Sequence, residues 1–157
     1  MHQRIETTHF GAVAWDPAAA IEFPAGLPAF ENERGFVPLE MSGCAPLVFL
    51  QSLTTPELCF LALPVKCLEP EYRLELQAEE SARIGLDPRR PPEIGRDVLA
   101  LALVTVGEDG ITANLRAPLV VALEGRRAVQ SIQPEGRYSH RHVLDPPPAG
   151  RGEQPCS

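Results

Sequence analysis

Apolar and polar residues alternate in short runs along most of the chain. Ile5 and Thr7 alternate with polar neighbours, Gly11 interrupts, and Val13 and Trp15 resume, which predicts a hairpin over residues 4–15. Ile21–Phe23 reads as a short strand stopped by Pro24. Phe36–Leu39, Leu47–Ser52 and Cys59–Leu63 follow as strands separated by Pro-containing turns. Leu47–Leu50 is apolar throughout, so that strand is expected to be covered on both faces. Arg73–Leu76 alternates leucines with charges and reads as another strand.

Residues 77–85 are the one helix expected. Glu79 and Glu80 sit early, where the helix dipole favours anions, and Gly85 sits at the C-terminal cap position. Val98–Val106 is the strongest strand and the expected centre of the core. Glu108-Asp109-Gly110 turns it back into Ile111–Arg116. Leu119–Leu123, Arg127–Ile132 and Tyr138–Leu144 complete the set. The residues predict a mainly β protein: a small antiparallel, barrel-like fold of about ten short strands with one short helix. The domain is expected to span residues 1–144. Residues 145–157, rich in proline and without an apolar pattern, read as a disordered tail.

Composition supports this reading. The chain has 157 residues and 17 prolines, about twice the usual share of proline. Those between Pro24 and Pro70 leave no room for a helix of normal length. The longest apolar run, Val98–Val106, is far short of the roughly 20 residues that span a bilayer. The four cysteines show no C-x-x-C spacing, and the first residues lack the apolar stretch of a secretion signal. A reduced, cytoplasmic protein is expected.

The net charge is −7 and is carried by the first 100 residues, which hold 8 basic and 15 acidic side chains. That acidity opposes direct binding to nucleic acid and suits a basic partner. No phosphate loop, dinucleotide fingerprint or nucleophile elbow is present, and nothing points to an enzyme or a bound cofactor. His140 and His142 would share a face if they lay in one strand, and could then line a small binding module for a metal or polar ligand. No third ligand is indicated, and solvated histidines are the plainer reading. Asn114 and Gln51 lie in apolar surroundings, so each amide must find hydrogen-bond partners.

Six landmarks in order carry a resemblance: Phe10-Gly11; the run from Phe23 to Glu31; Leu50-Gln51-Ser52; Pro70-Glu71-Tyr72; Asn114-Leu115-Arg116-Ala117-Pro118; and Gln130 with Tyr138, Arg141 and Leu144. Over residues 4–144 the chain resembles the bacterial flagellar assembly factor FliW. One departure is Ala29, where the family usually has Gly. The resemblance implies a cytoplasmic, non-enzymatic, monomeric binding protein with no membrane association. Its implied partners are newly made flagellin and the RNA-binding translational repressor CsrA, which it captures once flagellin has been exported. Two sets of contact residues are expected. Glu69, Glu71, Glu75, Glu79 and Glu80 would form an acidic strip that steers CsrA, with Tyr72 among them. Phe23, Pro24, Gly26, Leu27, Phe30 and Glu31 in one loop and Asn114, Arg116 and Pro118 in the turn would supply apolar and amide contacts, with Gln51 a further candidate. Phe30 is expected to be buried.

Overall fold

A computed structural model of the chain describes residues 3–41, 43–108 and 110–144. The tail predicted for residues 145–157 lies outside the described residues.

The first hairpin pairs β1 (Gln3–Thr7) with β2 (Gly11–Trp15). A single 3-10 turn over Pro17–Ala19 follows, its first amide capped by Asp16. The main sheet contains β3 (Ile21–Glu22), β4 (Gly35–Leu39), β5 (Val48–Ser52), β6 (Cys59–Pro64), β7 (Val98–Gly107), β8 (Gly110–Ala122), β9 (Ala128–Gln130) and β10 (His142–Val143). Its order is β10-β8-β7-β6-β5-β4-β3, with β9 also paired to β8 and all these pairings antiparallel. A parallel bridge between Glu22 and Arg127 brings β3 round to the start of β9. The Glu22 N–H donates to Arg126 C=O at 2.9 Å there. The sheet is thereby a nearly closed barrel, as the strand pattern predicted.

Both faces of the sheet are covered. Inward residues, among them Phe23, Phe36, Leu50, Leu101, Leu119 and Ala128, form one core. The alternate residues Val37, Phe49, Leu63 and Ala102 pack outward against Phe10, Val13 and Trp15 of the first hairpin and against Tyr72. This explains why every residue of β5 is buried, as its unbroken apolar run predicted. A third cluster joins Ile84 to Val98, Val120 and Val129.

Four local expectations are corrected. A one-turn helix, α1 (Val65–Leu68), fits between Pro64 and Pro70, where no helix was expected. Pro64 is its N-cap residue, ahead of the first helical turn, where a missing N–H breaks no intrahelical bond. The expected helix is present as α2 (Ala78–Arg83). Arg73–Leu76 is not a strand: its main chain is bonded by side chains, with Arg73 N–H donating to the Tyr138 hydroxyl and Glu75 N–H to Gln133 Oε1. Ile111–Arg116 and Leu119–Leu123 are not separate strands, because β8 runs through Pro118 as one bulged strand. Cys59 and Cys67 are free thiols, but Cys44 is disulfide-bonded. Sequence spacing does not reveal which thiols approach in space.

Candidate functional site

In an antiparallel sheet the C-terminal ends of alternate strands share an edge. The ends of β3, β5 and β7 therefore lie at one rim with the starts of β4, β6 and β8. That rim gathers the 23–34 loop, the 53–58 turn, the bulge of β8 and the residues after β9. Most of the sequence landmarks converge there.

The loop is built from two tight turns. Gly26 N–H donates to Phe23 C=O at 2.8 Å, and Phe30 N–H to Leu27 C=O at 2.7 Å. Phe23 and Leu27 point into the barrel core and are buried. They anchor the loop and offer no surface, which corrects their reading as contact residues. Pro24 and Gly26 are half-buried, and Glu31 is exposed. Phe30 is 41% exposed, contrary to expectation. Its ring sits edge-on to Phe60 at 5.4 Å, and Phe60 in turn contacts Phe36. Phe30 is thus the exposed end of an aromatic row rooted in the core.

Ala29 adopts φ = 71° at the third position of the Leu27–Phe30 turn. A turn with Pro second and a left-handed residue third favours Gly there. Ala29→Gly is therefore expected to raise unfolding stability by about 1 kcal/mol, by relieving strain at a non-glycine left-handed residue. Denaturant titration would measure it.

Glu33 ties the loop to the next turn. Its carboxylate accepts hydrogen bonds from the hydroxyls of Ser52, Thr54 and Thr55. Sequence reading missed this clamp; the hydroxyl cluster Ser52-Leu53-Thr54-Thr55 was its only visible sign. The Ser52 bond first, then the Thr55 bond, hold the Glu33 carboxyl below its ordinary value of 4.5. The resulting stabilisation is fully present above that ordinary value and is lost as pH falls through the lower folded one. The difference in melting temperature between the native protein and Glu33→Gln should accordingly shrink between about pH 6 and pH 3. Gln51 is fully buried; its amide donates to the carbonyls of Ser52, Thr55 and Pro56. It shapes the turn and presents no contact surface.

The bulge is accounted for bond by bond. Leu101 pairs with Leu119 and Leu103 with Asn114, so residues 115–118 of β8 face Ala102 alone. Asn114 Oδ1 accepts from Arg116 N–H at 3.1 Å and from Ala117 N–H at 3.0 Å. Leu115 N–H donates to Ser139 C=O, and Leu115 C=O accepts from the Tyr72 hydroxyl. The carbonyls of Arg116, Ala117 and Pro118 accept from Gln133 N–H, Gln130 Nε2 and Ser131 N–H. Pro118 has no N–H to place. Tyr72 is buried and stacks on Tyr138 at 4.1 Å; burial, then Tyr138, push its phenol above the usual range and keep it a donor. Asn114, Tyr72 and Gln130 are therefore braces, Pro118 is buried, and the half-buried Arg116 reaches Gln133 C=O.

The acidic residues lie along one chain path but differ in state. Glu71 and Glu79 are exposed, and Glu69 is half-buried. Glu75 pairs with Arg137 at 2.8 Å. Glu80 is spent locally: its Oε1 accepts from Gln77 N–H, capping α2, and from the Ser131 hydroxyl. It belongs to the scaffold, not to a free acidic strip.

His140 lies in a turn and only His142 in a strand, so they share no strand face. Among the described residues no group of three or more His, Cys, Asp or Glu is placed to hold a metal. None of their helices is long and apolar enough to cross a membrane. A groove of about 260 Å³ opens between the loop and β9, lined by Ala25, Gly26, Pro28, Glu31, Arg83 and Gln130 among others.

These features can be set beside known proteins. A profile of the FliW protein family matches residues 4–144. The flagellar assembly factor FliW of Syntrophomonas wolfei is 33% identical over 146 residues, covering 92% of this chain and 90% of its own. That of Heliobacterium modesticaldum is 34% identical over 145 residues, covering 91% of each chain. A crystal structure of the flagellar assembly factor FliW superposes with a TM-score of 0.76 at 28% identity, over 90% of this chain and 96% of that one. On sequence and fold together, the chain belongs to the FliW family of flagellar assembly factors.

Proposed function

We propose that this protein acts in flagellar assembly as a cytoplasmic, non-catalytic and monomeric binding protein that takes up flagellin and captures the translational repressor CsrA. The observation that supports it is Phe30, an exposed aromatic held on a rigid loop. Such a residue is a binding anchor, because little entropy remains to be lost on docking. The exposed acids Glu71 and Glu79, with Glu69 and Glu75, would steer a basic partner such as CsrA.

The test is binding of purified flagellin and CsrA from one host to the native protein and to Phe30→Ala, at low and high salt. Phe30→Ala should weaken flagellin binding about tenfold or more while costing about 1 kcal/mol of stability, the loss of one edge-to-face ring contact. CsrA association should slow as salt rises. Absence of binding to both partners would overturn the reading. So would binding of both that is indifferent to Phe30 and to salt.

A further inference from the structure

The barrel closes at one bridge and then stops, and the reason lies in the sequence. Glu22 pairs in parallel with Arg127. Two residues further along such a ladder, residue 24 would donate to Ala128 C=O and accept from Gln130 N–H. Residue 24 is proline and has no N–H. The chain instead turns back at Gly26. On the other side, β9 bonds to β8 through its odd-numbered residues: Ser131 N–H reaches Pro118 C=O and Ala122 N–H reaches Arg127 C=O. Gln130 faces Leu119 at a position where neither main chain bonds the other. Its main-chain N–H therefore points into the groove with no partner among the described residues. Ile132, 69% exposed, continues the same edge.

We propose that this gap takes an extended polypeptide segment as an added strand on β9. An edge of unpaired main-chain groups selects a strand rather than a helix. The walls set its side chains. Ala128 faces the barrel core while Val129 packs outward with Ile84, the residue that caps the C-terminal end of α2. Outward side chains of the added strand therefore meet the α2 wall, which carries Arg83. Inward ones meet the loop wall, which carries Glu31 and Pro28. Neither Arg83 nor Glu31 is in an ion pair with a described residue. The occupant is thus a proline-free segment with acidic residues at alternate positions and basic or apolar ones between them.

This rests on the reading that the protein works by binding polypeptides, but not on which ones. The test is amide exchange, read by NMR on the full chain. The probe is an end-capped heptapeptide with Glu at alternate positions and Lys and Val between them. At saturation the Gln130 amide should exchange at least about tenfold more slowly. A peptide of the same sequence with methylated central amides should leave it unchanged. Arg83→Glu should weaken the peptide about fivefold, and exchanging Glu for Lys in the peptide should restore it. The proposal is overturned by unchanged Gln130 exchange at about 1 mM peptide. It also falls if the amide is already protected without peptide, whether by the protein's own chain or, with dimers in sedimentation, by a second copy. Failure of flagellin and CsrA to bind would sink the partner assignment and leave this outcome standing.

Discussion

Gly26→Ala is expected to unseat the 23–31 loop, at a cost of about 2–4 kcal/mol in unfolding free energy. Two effects combine. Gly26 sits at φ = 72°, where a side chain is strained. A Cβ built there would also collide with Glu31 C=O and lie 2.6 Å from Glu31 Cα. Those are main-chain atoms, so no rotamer change relieves the contact, and the two arms of the loop must part. Leu27 would then be drawn from the core and Phe30 would lose its seat on Phe60. Chemical denaturation should show the loss. Phe30 should also become more exposed to solvent and to protease. A Gly26→Ala protein with native stability and a native cleavage pattern would contradict this account.

The second large effect is expected at Gln133→Ala. Gln133 is 1% exposed. Its side chain stands in for a missing strand: Oε1 accepts from Glu75 N–H and Nε2 donates to Glu75 C=O, each at 2.9 Å. Nε2 also reaches the Ser131 hydroxyl. Truncation leaves Glu75 N–H without its Gln133 acceptor and Glu75 C=O with only the 3.4 Å bond from the Ser131 hydroxyl, at a part-buried site where each lost partner costs about 1–3 kcal/mol. A total near 3 kcal/mol corresponds to a fall in melting temperature of about 10 °C for a chain of this size. Gln133→Glu separates the roles. Ionised, the new carboxyl keeps the acceptor for Glu75 N–H and lacks the donor; protonated, its O–H can donate to Glu75 C=O, so the loss of stability should be small at low pH and grow as pH rises. Local exchange should rise across residues 73–77 in both variants. If Gln133→Ala melts with the native protein, the segment is held by something else.

Much of the fold was legible because local patterns carried it. The alternation in β1 and β2, the unbroken apolar run of β5 and the acids and glycine around α2 each set an element where it is found. The misreadings share a cause. Arg73–Leu76 alternates like a strand, but its partners are the side chains of Tyr138 and Gln133, more than fifty residues away. No window along the chain contains both. The clamp on Glu33 reaches across about twenty residues in the same manner. At the site, the landmark residues were found but their work was misjudged. The hydrogen bonds of Asn114, Tyr72 and Gln51 turn inward to hold the main chain, so these landmarks mark scaffold and not contact surface. An aromatic near Leu27 in a short loop looks like a second buried anchor, yet Phe30 is exposed. Its exposure follows from the left-handed turn at Ala29, which sends the two side chains apart.

The bulge of β8 has a consequence for the order in which the molecule is completed. Its main-chain groups are held by Tyr72, by Gln130, Ser131 and Gln133, and by Ser139. Those braces come from opposite ends of more than sixty residues of chain. The bond from Tyr72 to Leu115 closes 43 residues, and that from Arg73 N–H to the Tyr138 hydroxyl beside it closes 65; closing such loops is entropically costly, so these contacts form late in folding. During synthesis the chain grows from its N-terminus, and the strands before β8 are available well before Ser139. The rim is therefore the last part of the barrel to set. A nascent chain paused short of Ser139 would carry the strands from β1 to β9 but neither β10 nor the finished rim.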